Sequence, residues 1–149
     1  MKKIAIASDH AGFELKEKIK EFLKAQGYEV LDLGTNNTES VDYPDYAAML
    51  AEKISAGELK EGVLCCGTGI GMSIAANKFP GVRAAVAVNE FMAQMAREHN
   101  DANVLCLSSR VTDPEIAKKL VDVWLNAKFE GGRHDRRVKK IIEIEKKER

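Results

Sequence analysis

The amino-acid sequence predicts an α/β fold, a three-layer α/β/α sandwich around a five-stranded and mostly parallel sheet. Three observations lead there. Short apolar runs alternate with longer segments of helical period through the whole chain, the pattern of βαβ units. At 149 residues, 45% of them hydrophobic, the chain suits one domain, spanning 1–149, with a core that needs no disulfide staples. Polar residues gather just past the apolar runs, at Ser8-Asp9-His10, Gly34-Thr35, Cys66-Gly67-Thr68, Asn89-Glu90 and Ser108-Ser109-Arg110. Rossmann-like sheets bind their ligands at such a rim, beyond the carboxyl ends of the strands.

Taken in order, KIAIAS from Lys3 to Ser8 reads as a buried strand. Leu15, Ile19, Phe22 and Leu23 share one helical face, so Ala11 to Gln26 is the first helix, closed by Gly27. YEVLDL is the second strand, and GTNNTESVDY is a loop without periodicity. Pro44 suits the first turn of the next helix, whose apolar face is Ala47, Leu50, Ala51 and Ile54. GVLCC is the third strand, Gly71 to Lys78 a helix, and VRAAVAV the fourth strand. Asn89 to Glu98 follows as helix, ANVLCL as the fifth strand, and Asp113 to Ala127 as helix with Pro114 at its start. The tail carries Val138, Ile141 and Ile142 among mixed charges, which predicts an amphipathic C-terminal helix over about 134–148.

Composition excludes several classes of function. Lysine and arginine number 23, as do aspartate and glutamate, so no bulk charge draws the chain to nucleic acid or to an anionic membrane. The apolar run of MKKIAIASDH stops at Ala7, too short for a signal peptide, and no apolar stretch approaches the ~20 residues that span a bilayer. A cytoplasmic protein with three reduced cysteines is expected. Cys65 and Cys66 are adjacent, so neither a C-x-x-C redox pair nor a zinc knuckle is signalled, and Cys106 reads as strand core.

The segment VLCCGTGIGMSIAANK, Val63 to Lys78, holds the chemistry. Its glycine run is G-x-G-x-G rather than the G-x-G-x-x-G of dinucleotide sites. Within this segment no lysine precedes Lys78, which removes a Walker loop, and Met72 stands where a cysteine phosphatase needs arginine. Two readings stay open. The glycines serve a tight strand-to-helix turn with Cys66 as a small buried residue, or Cys66 is a thiolate favoured by a helix N-terminus and acts as a general base. In the second reading the amides of Gly67, Thr68, Gly69, Ile70 and Gly71 would hold an oxyanion formed when a proton leaves carbon beside a carbonyl. Cys65, one strand position earlier, faces the opposite side and packs in the core.

SDHAGFELK, GT after the second strand, DYP, CCGTGIGMSIAANK, REHNDANVLCLSSR and FEGGRHDRR occur in that order over nearly the full chain. Together they closely resemble the B-type ribose 5-phosphate isomerases and the related isomerases of galactose 6-phosphate and allose 6-phosphate. That resemblance implies interconversion of an aldose phosphate and a ketose phosphate through a cis-enediolate, without a metal or other cofactor. It implies Cys66 as the base moving the proton between C1 and C2, with Thr68 and the Gly67–Gly71 amides stabilising the enediolate. His99 would be the acid that opens the furanose ring. Asp9 would hold sugar hydroxyls or the ring oxygen, and Asn100 the enediolate oxygens. His10, Arg133 and Arg137 would bind phosphate, with Tyr43 and Arg110 lining the site. One branch of the family uses a glutamate one position after the last loop glycine; Met72 stands there, which groups this chain with the cysteine users.

Each of these residues also has a plainer role. Ser8 or Asp9 would cap the first helix, and His99 with Asn100 would close the fourth, Asn100 in the left-handed conformation. Arg133 and Arg137, four apart, project together on a helix as a surface cluster or as a phosphate clamp. Ribose 5-phosphate and ribulose 5-phosphate are the favoured pair. A six-carbon sugar phosphate and a non-catalytic phosphometabolite-binding domain are the alternatives. Topology adds one expectation. Helices of a parallel sheet run back, so His99 lies a strand length, roughly 17 Å, from Cys66. If both act, the site joins two subunits of a homodimer, which pairs further or not.

Overall fold

The computed structural model describes residues 1–149. Its elements run β1 (Lys3–Ser8), α1 (Phe13–Ala25), β2 (Glu29–Asp32), α2 (Tyr43–Ser55), β3 (Gly62–Cys66), α3 (Ile70–Ala76), β4 (Ala84–Val86), α4 (Glu90–Glu98), β5 (Val104–Ser108), α5 (Pro114–Asn126) and α6 (Arg133–Lys147). The five strands form one sheet in the order β2-β1-β3-β5-β4, and every pairing is parallel. The expected sheet is therefore present, and it is wholly rather than mostly parallel.

Strand alternation divides the core in two. Ile4, Ile6, Val63, Cys65, Leu105 and Leu107 point to the face covered by α1, α4 and α5, where Leu15, Ile19, Ala93, Ala96, Leu120 and Trp124 meet them. Ala5, Ala7, Leu64, Cys66, Val104 and Cys106 point to the other face, against Ala47, Leu50 and Ala51 of α2 and Met72 and Ala76 of α3. Because helices cover both faces, the central strands β1, β3 and β5 are buried at nearly every position and read as near-continuous apolar runs.

The connections also decide where a ligand fits. The chain leaves β1 for the α1 face but leaves β3, its neighbour, for the α3 face. It leaves β5, on the other side of β3, for the α5 face. The loop after β3 thus stands between two splits, the topological switch points at which parallel sheets open a crevice.

Element ends differ from expectation at several places. Helix α1 starts at Phe13 rather than Ala11, because the Asp9 carboxylate accepts the Gly12 amide at 2.9 Å and closes a turn first. Gly12 lies against β3: a side chain there would begin 2.1 Å from the Cys65 carbonyl oxygen. Tyr43 belongs to the first turn of α2 rather than to the loop. Strand β4, an edge strand with one partner, is reduced to three residues. After α4 the left-handed residue is Asp101 (φ 47°), not Asn100. None of the helices is long and apolar enough to cross a membrane.

Candidate active site

At the end of β1, Asp9 is buried; its amide donates to the Cys65 carbonyl (3.3 Å) while its Oδ1 accepts the Gly12 amide. His10 Nδ1 accepts the Val41 amide at 3.1 Å, which leaves Nε2 to carry the proton of the neutral ring. Asp9 is therefore fixed beside the end of β3, and His10 against the loop that leads into α2.

Cys66 closes β3, with 5% of its surface exposed. Its Sγ accepts a hydrogen bond from the Gly69 amide at 3.1 Å. The loop is pinned to β5 by three bonds: Ser109 N–H to the Cys66 carbonyl (2.9 Å), Arg110 N–H to the Gly67 carbonyl (3.1 Å) and Ser108 Oγ to the same carbonyl (2.8 Å). With these carbonyls drawn toward β5, the loop is held as a rigid shelf. Thr68 is exposed on it, and its Oγ1 accepts the Ile70 amide at 3.2 Å. Two of the five expected anion-holding amides, those of Gly69 and Ile70, are thus already engaged within the loop.

The bare glycines serve packing as well. A side chain on Gly71 would begin 2.6 Å from Cε1 of Tyr43, so the phenol ring lies directly on the loop. Arg110 Nε lies 3.1 Å from the corresponding point on Gly67. The structure accordingly brings together Asp9, His10, Tyr43, Cys66, Gly67, Thr68, Gly69, Ile70, Gly71 and Arg110 at the carboxyl edge of the sheet.

His99, Asn100, Arg133 and Arg137 lie elsewhere. His99 caps α4, which runs back toward the strand starts. There Arg97 bonds the carboxylate of Glu61, just before β3, and the carbonyl of Ala102 (2.9 Å), just before β5. Cys66 is separated from that edge by the length of β3, roughly 13 Å at ~3.3 Å per residue.

The second group is itself ordered. The His99 ring stacks on His134 of α6, with centroids 4.0 Å apart and planes 10° from parallel. Glu130 Oε1 lies 3.6 Å from His99 Nε2 and 3.5 Å from His134 Nε2. Partial burial, followed by the nearby His99, Arg133 and Arg137, holds His134 below the ordinary histidine range, against the pull of Glu130. Asn100, Arg133 and Arg137 are exposed around this stack. Sequence reasoning missed His134 and Glu130; the only signal was the position of both within FEGGRHDRR.

The fold and the two groups can be set beside known proteins. A family model described as Ribose/Galactose Isomerase matches residues 4–141. Ribose-5-phosphate isomerase B of Escherichia coli K12 is 52% identical over 147 residues, covering 99% of each chain. The structure of ribose-5-phosphate isomerase B from Clostridium thermocellum superposes with a TM-score of 0.97 at 57% identity, covering 99% of both chains. That of the Mycoplasma genitalium enzyme with bound ribulose-5-phosphate gives 0.93 at 50% identity, covering 97% of this chain and 96% of that one. Agreement of this extent in sequence and in fold has one reading: the chain belongs to the ribose/galactose isomerase family.

Proposed function

We propose that this protein interconverts D-ribose 5-phosphate and D-ribulose 5-phosphate, with Cys66 as the general base. One observation carries the assignment of the base. Cys66 ends β3 at a switch point, below a glycine loop, with an N–H aimed at its sulfur. In the open-chain sugar the sulfur takes the proton from the carbon bearing the hydroxyl beside the carbonyl and returns it to the former carbonyl carbon, while the hydroxyl proton passes from the one oxygen to the other. The oxygens of the cis-enediolate formed in between carry the developing charge. Thr68 and the loop amides that remain free of internal partners answer it. Asp9 holds sugar hydroxyls or the ring oxygen, and His10, Tyr43 and Arg110 complete this half of the site.

His99 as ring-opening acid, Asn100 on the enediolate oxygens, and Arg133 and Arg137 on phosphate then come from a second copy of the chain. Exposed apolar side chains support such pairing: Ile70 (54% exposed), Ile74 (58%) and Phe91 (70%) lie on α3 and α4, both of which contact the outer edge strand β4. The direct test is turnover of ribose 5-phosphate in the presence of a chelator, by wild type and by Cys66→Ala. Loss of a general base lowers kcat by about 10²- to 10⁴-fold with the fold intact. Turnover of the variant within a few-fold of wild type would place the base elsewhere. Side-by-side kcat/KM values with allose 6-phosphate and galactose 6-phosphate decide between five and six carbons.

A further inference from the structure

Lys16 belongs to the SDHAGFELK segment, yet its hydrogen bonds go to Glu17 and Asp32 rather than to a residue placed in the site above. It has no exposed surface. An ammonium group is costly to bury unless it is fully paired, and an apolar side chain of similar size often stabilises such a position better. Its partners give the reason for a lysine. Nζ lies 2.7 Å from both oxygens of Asp32 and 3.0 Å from Glu17 Oε2, and Lys20 Nζ joins Asp32 Oδ2 at 2.9 Å.

Asp32 is the last residue of β2, so this ion pair is built at the carboxyl edge of the sheet. Its Oδ1 also accepts the Gly34 amide at 2.9 Å. Burial alone would raise the Asp32 carboxyl, but hydrogen bonds from Lys16, Lys20 and Gly34 hold it below the ordinary carboxylate range. The turn anchored in this way grips β1 from its outer side. The Gly34 carbonyl accepts the Ser8 amide at 2.7 Å, and the Thr35 amide donates to the Ser8 carbonyl at 2.9 Å. Asp9 follows immediately, tied on its other side to the Cys65 carbonyl. An unbroken series of bonds therefore runs from the buried ammonium to the peptide that carries Asp9 and His10.

We propose that Lys16 is a positioning residue: through Asp32 it holds the Gly34–Thr35 turn on Ser8 and so sets Asp9 and His10 relative to Cys66. The inference rests on the isomerase reading above. Displacement of a site by about an ångström can cost 10²-fold in rate, so Lys16→Met should lower kcat for ribose 5-phosphate by about 10- to 100-fold with KM changed far less. KM should move far less than kcat, because the phosphate ligands Arg133 and Arg137 belong to the other group of residues and only His10 is displaced.

Amide exchange read by mass spectrometry or NMR supplies a second measure. At Ser8, Gly34 and Thr35 exchange should quicken by about tenfold or more, while Leu105 and Cys106 in β5 stay as in wild type. A uniform rise across the sheet, or local quickening with kcat unchanged, would overturn the proposal by leaving Lys16 a merely structural role. Lys20→Met covers the case in which Lys16→Met fails to fold, since Lys20 grips the same carboxylate from a partly exposed position. It should show a smaller change of the same kind, and wild-type kcat with wild-type exchange at Ser8 and Gly34 would overturn the proposal on its own. Wild-type protein that fails to turn over ribose 5-phosphate would instead sink the isomerase reading, and the exchange result would still report on the turn.

Discussion

At the scale of the residue, two adjacent thiols meet opposite fates because consecutive strand positions face opposite sides of the sheet. Cys65 lies with Ile4 and Ile6 in the core under α1, and burial, with Cys66 beside it, pushes its thiol far above the ordinary range despite the nearby Lys16. Burial does the same to Cys106. Cys66 alone of the three keeps exposed surface and a hydrogen-bond donor on its sulfur. Since the thiolate is the reactive form, limited iodoacetamide at mildly alkaline pH should place a single label on Cys66, with isomerase activity lost in step. Peptide mass spectrometry showing Cys65 labelled first, or ribose 5-phosphate failing to protect Cys66, would contradict this. The exposed Arg137 answers to a different measurement. On the proposed phosphate role, Arg137→Ala removes a planar guanidinium fork, so KM should rise by about tenfold or more with kcat little changed. An unchanged KM would remove Arg137 from the phosphate site.

At the scale of the element, α6 meets the end of α4 through the stack of His134 on His99. The groups facing His134 are His99, Arg133, Arg137 and Glu130, and three of those four oppose its protonation. With its pKa depressed in the fold, the unfolded chain binds more protons across the window below about pH 6.5, so stability is full above that pH and falls as the pH drops through it. The measurement is the thermal midpoint between pH 7.5 and 5.5: wild type should lose more on acidification than His134→Gln, and parallel losses would contradict the assignment. Much of this architecture is legible in the sequence, because apolar runs of five or six residues, too short for buried helices and alternating with helical periods, read as strands covered on both faces. The positions missed share a cause. Helix α1 starts late because Asp9 and Gly12 form a turn against Cys65, a residue of another strand, and β4 is short because one edge lacks a partner. The His99–His134 stack joins residues far apart in the chain, so no local period announces it.

At the scale of the whole molecule, the residues that resemblance assigns to one reaction fall into two ordered groups a strand length apart. Asp9, His10, Tyr43, the Cys66–Gly71 loop and Arg110 share the carboxyl edge, and His99, Asn100, Arg133 and Arg137 share the amino edge with His134. A parallel sheet leaves no other outcome, since a helix that starts beside one strand's end must finish beside the next strand's start. Two-fold pairing that sets the carboxyl edge of one chain against the amino edge of its partner would complete two equivalent sites at once. Complementation tests that arrangement. Cys66→Ala and His99→Asn chains should each be inactive alone, but their heterodimer would carry both lesions in one site and none in the other. Refolded together in equal amounts, they should regain about a quarter of wild-type activity, from half the dimers being mixed and each having one intact site. Recovery absent from a mixture that sizing shows to be dimeric would mean that the two residues do not act in one shared site, and a fully active monomer would dismiss the pairing altogether.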